Sequence, residues 1–449
     1  MAIVLISPIG TGRKVSDREY STAKYKFNDS STIYQTPFIS AALAEYLKVD
    51  KIIFIGTAKS MWEEIYRYFS EKAKKYINDE YWLKIAELSS RSGYNKKLVN
   101  KEVLDIAMLS VDDYLKAVNS NATGGSLSIV IDYGLNEEEL WQNFSTLMKL
   151  TEVLDDGDEI YLDITHSFRS IPLFMYLMME FMQILENKKI LLKGLYYGML
   201  EASQELGYAP IVDLKPLFEI SQWIRGTHDF INYGNGYIIA ELLKKDKSTS
   251  RNVEEMQKKI NNVSDLVNIN YLVDLQKQIQ ALNRLIDLEY KYDSAITYVL
   301  PLIKDFTYRY NDIECASEFQ LELSKWYFEN KKYGHGYICL VESVLTKLCE
   351  VYGLDITIID NRKKVMLKIL SNRKYQNKVK TLGELADKYF AINKIRNRIA
   401  HASFYHTNNY SFRSDVDQAV NHYQDVKKLL ESEDINRLNE SIPAYHIFV

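Results

Sequence analysis

What most constrains the fold is a change of texture near Pro216. Before it, short apolar runs alternate with helical periods. Ile3 to Ser7 is a continuously apolar run that ends in a glycine loop, Pro8-Ile9-Gly10-Thr11-Gly12. Lys51 to Gly56 repeats the arrangement, with Thr57-Ala58-Lys59 opening the next helix. Further strands are predicted at Leu127 to Asp132, Glu159 to Asp163 and Leu191 to Tyr197, with helices between them such as Glu137 to Thr151. Runs of this length bounded by turn residues read as buried strands, and their alternation with helices implies a mostly parallel sheet covered on both faces. After Pro216 only Pro301 and Pro443 remain, glycines thin out, and apolar stripes step by three and four residues. One runs through Tyr337, Leu340, Val341, Val344, Leu345 and Leu348. The second half is therefore expected to be all helical, with Asp246 to Ser250 as an exposed loop.

Ligands of such sheets bind outside the carboxyl ends of the strands, and the polar signals lie there. Gly10-Thr11-Gly12 is a fragment of the dinucleotide fingerprint without its third glycine, which excludes a nicotinamide or flavin site. Asp163-Ile164-Thr165-His166-Ser167-Phe168-Arg169-Ser170 joins a strand to a helix predicted from Ile171 to Glu186. Hydroxyls, backbone N–H groups and Arg169 then converge on a helix amino terminus suited to phosphates. An N-cap serine beside an incidental His and Arg explains the same residues more plainly.

In the helical half, a stripe of Leu382, Leu385, Tyr389, Ile392, Ile395 and Ile399 predicts an amphipathic helix running into His401. Asn393, Asn397 and His401 fall on its opposite face, with Arg396 about 100° round from Asn397. An imidazole can move protons, a guanidinium can neutralise a phosphate, and an amide can orient either. That is a metal-free kit for RNA cleavage by the neighbouring ribose 2′-OH. The plainer alternative is cations placed at a helix carboxyl end because the dipole favours them. The Arg-x-x-x-x-His spacing is weak by itself, and Asn397 after Arg396 sharpens it.

The 449 residues suggest two or three domains. A net charge of −4 argues against a general nucleic-acid coat protein, yet Asn361 to His401 holds 12 Lys and Arg against Glu384 and Asp387. Such a basic stretch suits RNA, or is simply a solvated face. Three cysteines at no metal-ligand spacing suit a reducing compartment. No signal-peptide pattern opens the sequence, and the longest apolar run, Ile171 to Met179, is too short for a bilayer. A cytoplasmic protein without a membrane span is expected.

Taken together, Ser7-Pro8-Ile9-Gly10-Thr11-Gly12, Tyr25-Lys26-Phe27, Gln35-Thr36-Pro37-Phe38, Phe54-Ile55-Gly56-Thr57, Asp163 to Pro172 and Tyr196-Tyr197-Gly198-Met199 resemble the CARF domain, the CRISPR-associated Rossmann-like fold of type III ancillary ribonucleases. Arg396 to His401 resembles the Arg-x4-6-His signature of their HEPN ribonuclease domain. The resemblance implies a CARF sensing domain over 1–215, a helical connector over 216–320 and a HEPN domain over 321–449. It implies a cytoplasmic, metal-independent endoribonuclease of antiviral defence that cleaves single-stranded RNA and is switched on by cyclic oligoadenylate. It also implies a homodimer or a dimer-based assembly that forms no stable complex with the CRISPR effector. Arg396, Asn397 and His401 would be catalytic. The ring would be held by Ile9, Gly10, Thr11 and Gly12, by Thr57, Ala58 and Lys59, by Thr165, His166, Ser167, Phe168 and Arg169, and by Tyr197 and Gly198. Few cations face that ring, which favours cyclic tetra-adenylate over the hexamer. His166 either packs on an adenine or helps a ribose hydroxyl destroy the activator. A sensor that binds nucleic acid without cutting it, and an unregulated HEPN toxin, are the competing functions.

Overall fold

A computed structural model of the protein describes residues 1–16, 18–166, 170–184, 190–245, 251–287, 295–402 and 411–444. The chain divides into two units, Met1–Glu219 and Ile220–Val449.

The first unit is built on one sheet of eight strands: β1 (Ile3–Pro8), β2 (Ala23–Phe27), β3 (Ile33–Thr36), β4 (Lys51–Thr57), β5 (Leu127–Ile131), β6 (Glu159–Asp163), β7 (Leu191–Gly198) and β8 (Ala209–Asp213). Their order is β3-β2-β8-β7-β6-β1-β4-β5. β1 pairs in parallel with β4 on one side and β6 on the other, and β5 and β7 extend the parallel set. Only the β2–β3 and β7–β8 pairs are antiparallel. From β1 the chain builds outward through β4 and β5, then crosses back to β6 and β7. The strand order therefore reverses beside β1, which opens a crevice at the strands' carboxyl ends.

Alternation along the strands sends residues to two cores. Leu5, Ile52 and Phe54 join the cluster that includes Trp62, Phe69 and Tyr114. Val4, Ile6, Ile53, Ile55, Ile160 and Leu162 join Leu147, Ile171, Met175 and Met179 on the other face. Val4, Leu5 and Ile6 are fully buried, and each such side chain contributes about 1.5–3 kcal/mol by leaving water. A strand apolar on both faces has no solvent side, which is why β1 and β4 read as unbroken apolar runs. The sequence reading did not place β2, β3 and β8 as strands.

The second unit is helical. One core gathers Phe230, Ile260, Leu275, Ile303 and Trp326. Another is formed where the Tyr333–Val351 helix meets the Lys380–Ala400 helix, through Tyr337, Leu340, Val344, Leu382, Leu385, Tyr389 and Ile392. Both expected apolar stripes are thus buried, except that Ile399 is 37% exposed at the end of its helix. The predicted loop at Asp246 to Ser250 lies outside the described residues.

Candidate functional site

The crevice of the first unit holds a cavity of about 300 Å³. β1 supplies Pro8, Ile9, Gly10 and Thr11, β4 and its turn supply Ile55, Gly56, Thr57 and Ser60, and the β6 end supplies Thr165 and His166, with Ile131 and Ile171 completing the wall. These strand-end turns are tied to one another. Ile9 N donates to Ile55 O at 2.7 Å, and Met61 N donates to Gly10 O at 3.0 Å. Ser60 Oγ donates to Ile9 O at 2.9 Å and accepts from Thr57 N at 3.0 Å. The turns pack so closely that a Cβ on Gly56 would stand 2.8 Å from Ile9, Ser60 and Trp62. Gly10 faces open space instead, so its backbone is free for a ligand to approach.

Beneath the cavity lies a polar network. Asp163 is fully buried and accepts from Ser7 Oγ at 2.6 Å and from Thr165 N at 2.8 Å. Burial pushes its carboxyl up, against the pull of His166 and the Ser7 hydrogen bond. Burial likewise pushes the His166 imidazole down, opposed by Asp163, so near neutrality the ring carries no proton charge. His166 Nε2 is hydrogen-bonded to Tyr25 Oη at 3.0 Å. Thr165 Oγ1 accepts from Gly198 N at 2.8 Å and joins the ends of β6 and β7.

Of the residues singled out in sequence, Ile9, Gly10, Thr11, Thr57, Thr165 and His166 line one cavity. Gly12 sits just beyond it, with φ of +63°. Ala58 is buried, and Lys59 is exposed and is not among the residues that line the cavity. Tyr197 donates to Glu201 Oε2 at 2.7 Å. Gly198 lies under Tyr25 and Ile39, where a Cβ would come within 2.9 and 2.5 Å. Ser167, Phe168 and Arg169 lie outside the described residues. Sequence reasoning gave no role to Ser7, Tyr25, Ser60 or Asp163. Ser7, Tyr25 and Asp163 stood within the quoted motifs, but only the fold shows what they touch.

In the second unit the Lys380–Ala400 helix ends at His401, whose N–H bonds to Asn397 O at 3.0 Å. Asn397 and His401 are exposed and Arg396 is half-buried. Asn393, expected on the same outward row, is half-buried instead. Three side-chain atoms here are enclosed without a hydrogen bond among the described residues, Asn393 Oδ1, Arg396 Nε and Arg398 Nε. Arg398 Nη2 lies 2.8 and 2.7 Å from the two oxygens of Asp415. Tyr337 Oη donates to Asp415 O at 2.5 Å and holds that partner in place. Of the two arginines that flank Asn397, Arg398 is fixed in an ion pair with Asp415, and Arg396 has no ion pair among the described residues. Among the described residues no group of three or more His, Cys, Asp or Glu is placed to hold a metal ion, and no helix is long and apolar enough to cross a membrane.

Residues 4–201 match the family described as the CARF domain of the CRISPR system endoribonuclease Csx1. Over those residues the chain is similar to CRISPR-associated CARF domains. Residues 219–318, which follow the CARF domain, match the second domain of CRISPR-associated protein MJ1674. The CRISPR-associated protein MJ1674 of Methanocaldococcus jannaschii is 41% identical over 436 residues, which cover 96% of this chain and 66% of that protein. The chain thus spans just under two thirds of that relative's length. Among solved structures, Enterococcus italicus Csm6 bound to cyclic hexa-2′-fluoro-hexa-dAMP aligns over 98% of this chain and 99% of that chain. That alignment has 13% identity and a TM-score of 0.38, a likeness too remote to bear on function.

Proposed function

We propose that the CARF domain binds cyclic oligoadenylate and that the helical unit is a HEPN endoribonuclease which this ligand switches on. The observation that carries the reading is the union, in one chain, of a CARF domain with a helix ending in Arg396, Asn397 and His401. Arg396 is half-buried and has no ion pair among the described residues, and His401 is open to solvent. His401 acts in proton transfer, Arg396 neutralises charge on the scissile phosphate, and Asn397 orients the pair. The attacking group is the substrate's own 2′-OH, so the reaction needs no metal ion and leaves a 2′,3′-cyclic phosphate.

A cavity of about 300 Å³ is at the small end of ligand sites. It suits one or two nucleotides rather than a whole ring. Two copies of the chain around a dyad would hold a ring of even number isologously, each gripping half, and cyclic tetra-adenylate is the favoured ring. Pairing would also bring two copies of Arg396 and His401 to one groove.

The test is to add cyclic tetra- or hexa-adenylate to purified protein and follow single-stranded RNA. Cleavage is expected to start with the ring, to persist in EDTA and to yield cyclic-phosphate ends. His401→Ala is expected to lower the rate by about 10²–10⁴-fold and Arg396→Ala by about 10²–10³-fold, with ring binding intact in both. Activity that vanishes with chelator and returns with added metal would overturn the mechanism.

A further inference from the structure

We infer that Arg13, where the chain leaves the cavity, belongs to the ligand site and supplies a phosphate partner which the described residues of the cavity wall lack. The inference rests on the proposed cyclic-oligoadenylate reading of the cavity. No lysine or arginine is among the described residues that line it. The imidazole there is kept neutral by burial. A phosphodiester carries a full negative charge, and taking it into such a wall without a cation is costly. Among the described residues the partner has to come from the rim.

The chain leaves the cavity at Thr11 and turns at Gly12. There φ is +63°, and a Cβ would stand 2.4 Å from Met61 Sδ and 2.6 Å from the Tyr20 ring, so any other residue is strained there. The hairpin that follows is closed by a Lys14–Tyr20 bridge, by Ser21 N donating to Arg13 O at 2.8 Å and by Val15 N donating to Glu19 O at 2.8 Å. It is anchored from below by Glu63, which is 4% exposed. Glu63 Oε1 accepts from Tyr20 Oη at 2.6 Å and lies 3.7 Å from Lys14 Nζ. Its other oxygen is enclosed without a partner among the described residues. Two of the hairpin's cations are thereby committed. Lys14 sits on Glu63, and Arg18 pairs with Asp79 at 3.3 Å over the Trp82 ring. Arg13 is exposed and has no ion pair among the described residues. Its Cα is at most about 7.6 Å from that of Thr11, two peptide steps away, which puts the mouth of the cavity within reach of its side chain. A planar fork of donors suits a phosphate bidentately. Glu63 is the positioning residue, because it holds the hairpin that presents Arg13.

The test is calorimetric titration of cyclic tetra-adenylate into the full-length protein at two salt concentrations. Arg13→Ala is expected to weaken binding by about ten- to a hundredfold and to flatten its salt dependence, with Tm unchanged because the side chain has no partner to lose. Arg13→Lys should recover part of the affinity. Glu63→Gln should weaken binding less, and should add nothing on top of Arg13→Ala, since both act through the same contact. Wild-type binding with Arg13→Ala within twofold of it and the same salt slope would overturn the role of Arg13 alone. So would a salt-dependent loss that follows Lys59→Ala and not Arg13→Ala. A wild-type protein that binds no cyclic oligoadenylate would overturn the ligand reading and, with it, the role of Arg13.

Discussion

Ser7 and Asp163 stand 156 positions apart in the chain and 2.6 Å apart in the fold. Asp163 is fully buried, so Ser7→Ala leaves one of its oxygens short of a donor at a cost of about 1–3 kcal/mol. In a unit of this size that lowers Tm by several degrees, to be measured by thermal denaturation. Contacts of this kind mark the limit of what the sequence shows at the residue scale. His166 was visible because it falls in a polar turn after an apolar strand. Nothing local says that its ring meets Tyr25, which lies 141 positions away. The same holds for Arg396 and Arg398, alike in sequence until Asp415 claims one of them. Arg398→Ala is accordingly expected to lower Tm, whereas Arg396→Ala removes activity with Tm little changed. His422 offers a separate test by pH. Burial, and then Lys388, hold its imidazole below the ordinary 6.5. As pH falls through about 6.5 the unfolded chain takes up the proton first, so stability drops with falling pH in that window. His422→Gln should flatten the Tm profile between about pH 5.5 and 7.5. An unchanged slope would remove His422 from that account.

At the scale of elements, legibility followed the apolar run. β6 was read with the bounds the structure gives, and β1, β4, β5 and β7 to within a residue, because each carries a short apolar run bounded by polar or turn residues. β2 alternates buried Tyr25 and Phe27 with the less buried Lys24 and Lys26, too short a pattern to stand out from a loop. β3 is an edge strand of four residues. β8 carries Pro210, a residue that argues against a strand. In the helical unit the stripes named the right faces, but they could not show how closely the helices approach. At Gly336 an added Cβ would stand 2.4 Å from the Phe328 ring, and Ser324 Oγ donates to Gly336 O at 2.9 Å. Gly336→Ala is therefore expected to cost about 1–3 kcal/mol through overpacking. Denaturant unfolding would show this as a lower midpoint. A wild-type midpoint would mean that the Phe328 ring yields freely.

For the whole molecule, the proposed groove of two Arg396 and two His401 makes subunit mixing informative. Wild-type chains mixed with excess His401→Ala chains should lose activity more steeply than dilution predicts. A strictly proportional loss would count against a shared groove. The sheet carries a further consequence, for synthesis. Tyr25 of β2 lies beside Ala209 of β8, about 180 residues later, whereas β2 and β3 are neighbours in sequence as well as in space. A ribosome adding about 5–20 residues per second needs about 10–40 s to cover that distance. Throughout that time the β2–β3 hairpin has one edge without its strand, and Tyr25 cannot be buried beneath the cavity. A nascent chain released before β8 emerges therefore carries the glycine loop together with Ser7, Asp163 and His166, but a β2–β3 hairpin whose Tyr25 has no strand on its open side.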